Sequence, residues 1–298
     1  MIRYLACASA VLLAGVAAAQ APPPVTDAIV VEGQREQQAE QAANLARVIT
    51  QPTPSGKPLA RHYVPVCVKV FGVPDPFAAA MTERIGSNIR SLKLRAAPPG
   101  CKPNAWVGLI KNSRDQVQAL RKREPAMFIS LKEHEIDRIF ADGDAVQAWH
   151  ATEVRGADGR PVPVVQMEVP SVPGLKIDVE WNQQFKASRL GSTIRVDLAG
   201  SIVLFDRQLA RDKTLQQLAD YATMRLLANT RDGAAAEDGV ATILSLFAPN
   251  GAAPAEWTEF DRAYLRGLYR MRPDQDHRGV HDATKSAFLR GLGAEPED

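Results

Sequence analysis

His277 and His281 stand four residues apart in "DQDHRGVHDATK", with Asp276 and Asp282 beside them. Imidazole and carboxylate groups at helical spacing are zinc-ligand chemistry, since that ion takes neutral nitrogen and anionic oxygen in a tetrahedral shell. Gly279 between the histidines and "RPDQD" upstream argue for the other reading, a solvated loop in which Asp282 caps a last helix "ATKSAFLRGL". The remaining histidines are His62, His134 on the polar side of "LKEHEIDRIF", and His150 in "AWHATE", read as an isolated strand or loop residue. A Ser-His-Asp set stays open, although no nucleophile elbow is present. "RLGST" and "RGLGA" lack the spacing of a phosphate-binding loop.

These residues need a scaffold, and the chain is long enough to supply one. It has 298 residues, 45% hydrophobic and 23% charged, with a formal net charge of +2. Such a balance gives no footprint for nucleic acid. Residues 1–19 read as a secretory signal: Arg3, an apolar run through Leu12 and Leu13, and small Ala17 and Ala19 before Gln20. The run is about 15 residues where a membrane span needs about 20, so no transmembrane segment is expected after cleavage. Cys7 leaves with the signal, and two cysteines remain, Cys67 in "VPVCVKVFG" and Cys101 in "PPGCKPNAWVG". An even count in an oxidising compartment predicts a disulfide between them, worth ~3 to 4 kcal/mol in the loop-entropy model. The expected location is periplasmic or secreted.

Residues 20–60 are rich in Pro, Gln, Ala and Glu and predict a disordered arm. Inside it, "DAIVVEGQR" (Asp27 to Arg35) resembles the energy-coupling box of TonB-dependent outer-membrane receptors, over a handful of residues only. It reads as a β-prone recognition strand or as inert linker. The folded domain is expected over 61–298. "YVPVCVKVFG" predicts a strand, "PDPFAAAMTERIGSNIRSLK" a helix with Phe77, Met81, Ile85 and Ile89 on one face, and "NAWVGLIK" the next strand of a β-α-β unit. A helix capped by Ser113, a short helix over "LKEHEIDRIF" and a third strand in "AVQAWHATEV" follow. From Arg155 to Leu190 scattered prolines predict an extended excursion with a strand only at "KIDVEW". "STIRVDL" and "SIVLFD" predict a hairpin turning at Ala199-Gly200, whose first strand, Thr193 to Leu198, lies at a sheet edge. The helix "TLQQLADYATMRLLANTRDG" opens with a Thr214/Gln217 capping box and is apolar on two sides, which predicts burial.

The order of strand pair, buried helix, apolar turn "TILSLF" and capped "TEFDRAYLRGLY" resembles the zincins, the metzincin or matrix-metalloprotease-like peptidases. It is also similar to secreted zincin-like proteins of unknown function from Gram-negative bacteria. The resemblance covers Ser192 to Pro273 and implies an α+β fold with a mixed twisted sheet, an antiparallel edge strand, a buried central helix and C-terminal helices. In that register Asp220, Tyr221 and Met224 take the places of the first histidine, the glutamate and the second histidine of HExxH, with Thr230 near the third ligand. Leu244 or Leu246 stands where a methionine is expected. Tyrosine cannot serve as the base at neutral pH, and methionine is a poor zinc ligand. Thr258 and Asp261 then read as a helix cap rather than as catalytic groups. The resemblance therefore implies a pseudoenzyme without catalytic residues or a cofactor, binding an unknown peptide or envelope protein. The alternative is a metal-dependent hydrolase with nonstandard ligands such as Asp220, His277 and His281.

Overall fold

The computed structural model of the chain describes residues 25–53, 57–111, 113–128, 131–139, 144–180, 193–231, 239–249 and 253–293. The expected signal segment and Cys7 lie outside the described residues. In chain order the elements are helix α1 (Val25–Ile49), strand β1 (Val68–Phe71), α2 (Asp75–Ser91), β2 (Ala105–Ile110), α3 (Ser113–Arg123), α4 (Glu133–Ile139) and β3 (Val146–Gly156). They continue with β4 (Val164–Glu168), β5 (Lys176–Glu180), β6 (Ile194–Asp206), α5 (Leu215–Leu227), α6 (Glu259–Arg270) and α7 (Val280–Gly293). The fold is α+β, with a four-stranded mixed sheet in the order β1-β2-β6-β3. β1, β2 and β6 run parallel, and β3 joins the outside of β6 antiparallel.

Alternation along the strands sends side chains to two faces. Val107, Val203 and Phe205 join the main core with α1, α2, α5, α6 and α7, while Ile110, Ile202, Leu204 and Trp149 form a smaller core with Val117 of α3 and Phe128. The expected β-α-β unit is present. Met81, Ile85 and Ile89 bury one face of α2 as their spacing predicts, but Phe77 in its first turn is left about half exposed.

The Cys67–Cys101 disulfide is formed across a separation of 34 residues. It ties the residue before β1 to the approach to β2, where Asn104 Oδ1 accepts the Cys67 amide at 2.8 Å. Replacing both cysteines by serine is expected to lower stability by about 3 kcal/mol in a urea titration, most of it through the unfolded chain.

Several expectations are corrected. Residues 25–49 are not a disordered arm but helix α1, with Ala39, Ala42, Leu45, Ala46 and Ile49 buried in the main core. Gln, Glu, Arg and Ala are strong helix formers, and the alanine face allows close approach to α7, where Lys285 pairs with Glu36 and Glu40. Asp27 to Arg35 lies within this helix and forms no recognition strand.

Ala199-Gly200 is not a hairpin turn: β6 runs unbroken for 13 residues. Its register with β3 shifts where Ala151 faces Gly200 and Thr152 faces Leu198, so Ala199 is the extra residue of a β-bulge. A Cβ at Gly200 would sit 3.4 Å from the Trp106 ring. A small pair inside a strand can mark a bulge or close approach as well as a turn.

Consequently Thr193 to Leu198 is not an edge. Ile194 to Leu198 of β6 pairs with β3 on one side, and Asp197 bridges Arg61 on the other. The excursion between Arg155 and Leu190 holds a hairpin, β4 with β5, so "KIDVE" is a strand as expected but "VVQME" is one as well. The prolines flank these strands instead of interrupting them.

Candidate functional site

Helix α5 is where the sequence points first. Thr214 and Gln217 form the expected capping box, and every residue from Leu218 to Leu227 is buried. Asp220 is fully buried and serves as a structural acceptor. Arg84 donates to its two carboxylate oxygens from Nε and Nη2 at 2.8 Å each, Asn88 from Nδ2 at 2.7 Å, and the Trp257 amide at 3.0 Å. This carboxylate thus fastens α2 and the approach to α6 onto α5. Tyr221 packs its ring against Phe205 and Phe247, with centroids 5.8 and 5.4 Å away. Met224 is fully buried in the main core. The three positions share a helix, and all three are buried in packing or hydrogen bonding.

Asp261 behaves similarly. It is fully buried at the third position of α6, completing a capping box with Thr258, and it also accepts from Thr242 Oγ1 (2.6 Å) and the Ile243 amide (2.9 Å). Burial pushes its carboxyl pKa up, although the donors from Thr242, Thr258 and Ile243 pull it back. It joins the turn Ile243–Phe247 to α6, as a cap should.

His277 and His281 do not converge. His277 Nδ1 lies 3.1 Å from Thr53 Oγ1, whereas His281 contacts Asp282 (2.8 Å) and reaches Glu40 of α1 (3.1 Å). Among the described residues no group of three His, Cys, Asp or Glu side chains has the arrangement to hold a metal ion. His134 lies exposed on α4, as its polar setting predicts.

Two histidines that looked unrelated in sequence do come together. His150 on β3 faces Ser201 on β6 in the sheet register. His62 Nε2 lies 3.1 Å from Ser201 Oγ and 3.2 Å from the Leu226 carbonyl, while His150 Nε2 lies 2.8 Å from the Arg225 carbonyl. Both therefore reach carbonyls at the C-terminal end of α5. Burial pushes the pKa of His62 down to about 4 and that of His150 down to about 3, the hydrogen bonds to Leu226 and Arg225 opposing. A serine beside a histidine suggests acyl transfer. Ser201 is fully buried, however, and no carboxylate holds the other nitrogen of His62, so this pair lacks an open nucleophile and an orienting acid. No sequence signal joins His62 to His150, which are brought together only by the strand order.

Around His62 the polar groups are dense. Arg61 donates to the carbonyls of Leu268 (2.9 Å), Met271 (2.7 Å) and Arg272 (2.6 Å), closing the C-terminal end of α6. The Tyr269 hydroxyl accepts from the His62 amide at 3.2 Å and donates to the Leu227 carbonyl at 3.0 Å. Beside this cluster lies a cavity of about 230 Å³ lined by Arg61, His62, Tyr63 and Tyr269 together with Lys93, Arg95, Val64, Val66 and Leu94.

The second surface feature is the outer edge of β3. The Asp206 amide donates to the Ala145 carbonyl, which makes Ala145 and Asp206 a hydrogen-bonded pair. By alternation the backbone groups of Val146 and Ala148 point away from β6. Among the described residues no strand pairs with that edge. The opposite edge strand, β1, has only four residues and carries exposed Lys69, a common guard against further pairing.

No protein-family model matches the chain, and neither curated proteins nor solved structures give a match to it.

Proposed function

We propose that this chain is an exported, non-catalytic binding module of zincin-like architecture, which takes an extended peptide segment of an envelope protein along the open edge of β3. The observation that carries the reading is the outward-facing backbone of Val146 and Ala148 on an antiparallel edge strand. Such an edge binds extended chain through main-chain hydrogen bonds and needs no metal to do so. The order of elements supports the architecture: a mixed sheet with an antiparallel edge strand, then a buried helix directly after a central strand, a 3-10 turn at Ile243–Phe247 and a capped helix α6. Export is supported by the disulfide. No described helix is long and apolar enough to cross a membrane.

Hydrogen exchange with an unbiased library of extended peptides tests the reading. Peptide binding is expected to slow exchange at the Val146 and Ala148 amides, and Ala148→Pro, which deletes an outward N–H without touching the ladder to β6, is expected to abolish it. Peptides that bind without protecting these amides, or that bind Ala148→Pro equally well, would place recognition elsewhere. Stoichiometric zinc in the purified protein, lost on His277→Ala with His281→Ala, would instead favour a metal-dependent hydrolase.

A further inference from the structure

The hairpin of β4 and β5 stands apart from both cores. Among the described residues none of its side chains joins the main core or the smaller one, and no third strand pairs with it. Its register sorts the residues by face. Glu168 lies opposite Lys176 and Met167 opposite Ile177, and the Val169 amide donates to the Leu175 carbonyl at 2.9 Å. Alternation therefore puts Val165, Met167, Val169, Leu175 and Ile177 on one face, with Gln166, Glu168 and Lys176 on the other. The apolar face is open to solvent: Met167 is 43% exposed, Leu175 and Ile177 are each 46% exposed, and Val172 at the turn is 48% exposed. A two-stranded sheet is marginal in water by itself and gains stability when its apolar face is covered.

Charge and area decide what can cover it. Those five side chains include no charged group, so a partner must be uncharged there too. Along the chain from Gly156 to Glu180 the acids Asp158, Glu168, Asp178 and Glu180 outnumber the bases Arg160 and Lys176, which opposes docking on an anionic lipid surface. A second copy of the chain brings a face of equal size and equal neutrality. Related by a two-fold axis, two such hairpins stack face to face about 10 Å apart, and Glu168 and Lys176 stay on the outer sides, in water. Apolar side chains about half exposed offer roughly 400 Å² per copy, the size of a typical functional patch. Two of these faces bury about 800 Å² before their polar rims are counted, the low end for a specific contact, so the pairing is weak and reversible.

We propose that the chain self-associates through this face, as a two-fold dimer in which the Met167 and Ile177 rungs of the two copies pack against each other. The surface is separate from the outer edge of β3, and the dimer does not depend on peptide binding there. The acidic excess beside it makes two copies repel mildly, a repulsion that salt screens.

Analytical ultracentrifugation of the purified chain from about 1 to about 500 μM tests this. A monomer–dimer equilibrium with a Kd of about 10 to 100 μM is expected, tightening as salt is raised. Met167→Lys and Ile177→Glu each place a charge on the face, and each alone is expected to weaken the dimer at least about tenfold. Their one-to-one mixture is expected to regain a dimer, because the lysine of one copy meets the glutamate of the other. Hairpins that had merely unfolded would show no such recovery. Lys176→Gln, on the outer face, is expected to leave the dimer unchanged. A chain that stays monomeric up to about 500 μM overturns the proposal. So does a mixture of the two variants that fails to recover, a dimer that both variants leave intact, or one that only Ala148→Pro abolishes, which would place the contact at β3. A monomer that binds phosphatidylcholine vesicles, and loses them on Met167→Lys, would make the face a lipid contact instead.

Discussion

Lowering the pH from about 7.5 to about 5 is expected to remove roughly 4 kcal/mol from the stability of this fold, through His62 and His150 together. Both are buried, and burial disfavours their charged forms, giving folded values of about 4 and about 3 against 6.5 for the free side chain. Because the folded values lie below the unfolded one, the unfolded chain takes up protons first. The stability is fully present above about pH 6.5 and drains away as the pH falls toward the folded values. At about pH 5 each histidine has forfeited roughly 2 kcal/mol. Among the described residues the groups recorded against them are Ser201, the Leu226 and Arg225 carbonyls and the Arg225 guanidinium, none of them a carboxylate that would reverse the sign. Asp261 works the other way, since its raised pKa lets the folded state take up a proton before the unfolded one does, and so it softens the loss at the acid end. Urea titrations across this range measure the effect, with uptake approaching two protons on unfolding near pH 5. The double variant His62→Gln, His150→Gln should flatten the profile whatever its stability at neutral pH. A wild-type stability constant within about 1 kcal/mol over the same range would mean that these histidines are not held neutral.

That effect was hidden in the sequence for the same reason that much of the site was. His62 and His150 meet because β3 lies antiparallel beside β6 and places His150 opposite Ser201, a long-range pairing that leaves no local trace. Local signals fared better. The capping boxes at Thr214/Gln217 and Thr258/Asp261 are set by spacing within one turn, and the two apolar sides of α5 announce its burial. The cysteine count was enough to pair Cys67 with Cys101. Where the reading failed, weak hydrophobic contrast was responsible. Helix α1 buries alanines, which carry little apolar signal, within a Gln- and Glu-rich stretch that mimics disorder in composition. The Ala199-Gly200 pair satisfies the rules for a turn and for a bulge equally, and only the partner strand decides between them. Misreading it moved the supposed edge from β3 to β6, and with it the surface available for strand pairing.

Asp220→Ala is expected to cost about 4 to 5 kcal/mol, near the top of the range for breaking a buried ion pair by removing one partner. The carboxylate accepts four hydrogen bonds at 2.7 to 3.0 Å while fully buried, so its removal strands Asn88 Nδ2 and the Trp257 amide as well as Arg84. Arg84 is 31% exposed at its side chain and also meets Glu256 at 3.0 Å, so water and that second acid recover part of its loss. Asn88 has one compensation too, since its amide also reaches Thr223 at 3.1 Å. The Trp257 amide shows no such alternative, and unfastening it loosens the approach to α6, whose capping box begins one residue later. Asp220→Asn should fall between wild type and alanine, because one amide group must turn an N–H toward donors that already point inward. The same variants separate a structural carboxylate from a metal ligand. If Asp220 only fastens helices, added zinc leaves the urea midpoint of wild type and of Asp220→Asn equally unmoved. A zinc-dependent rise in the wild-type midpoint that Asp220→Asn abolishes would make this residue a ligand, because a metal that binds only the folded state stabilises it by mass action. Replacing both charges, with Arg84→Met and Asp220→Leu together, should be milder than Asp220→Ala alone, since the larger share of the cost lies in leaving partners buried without an acceptor.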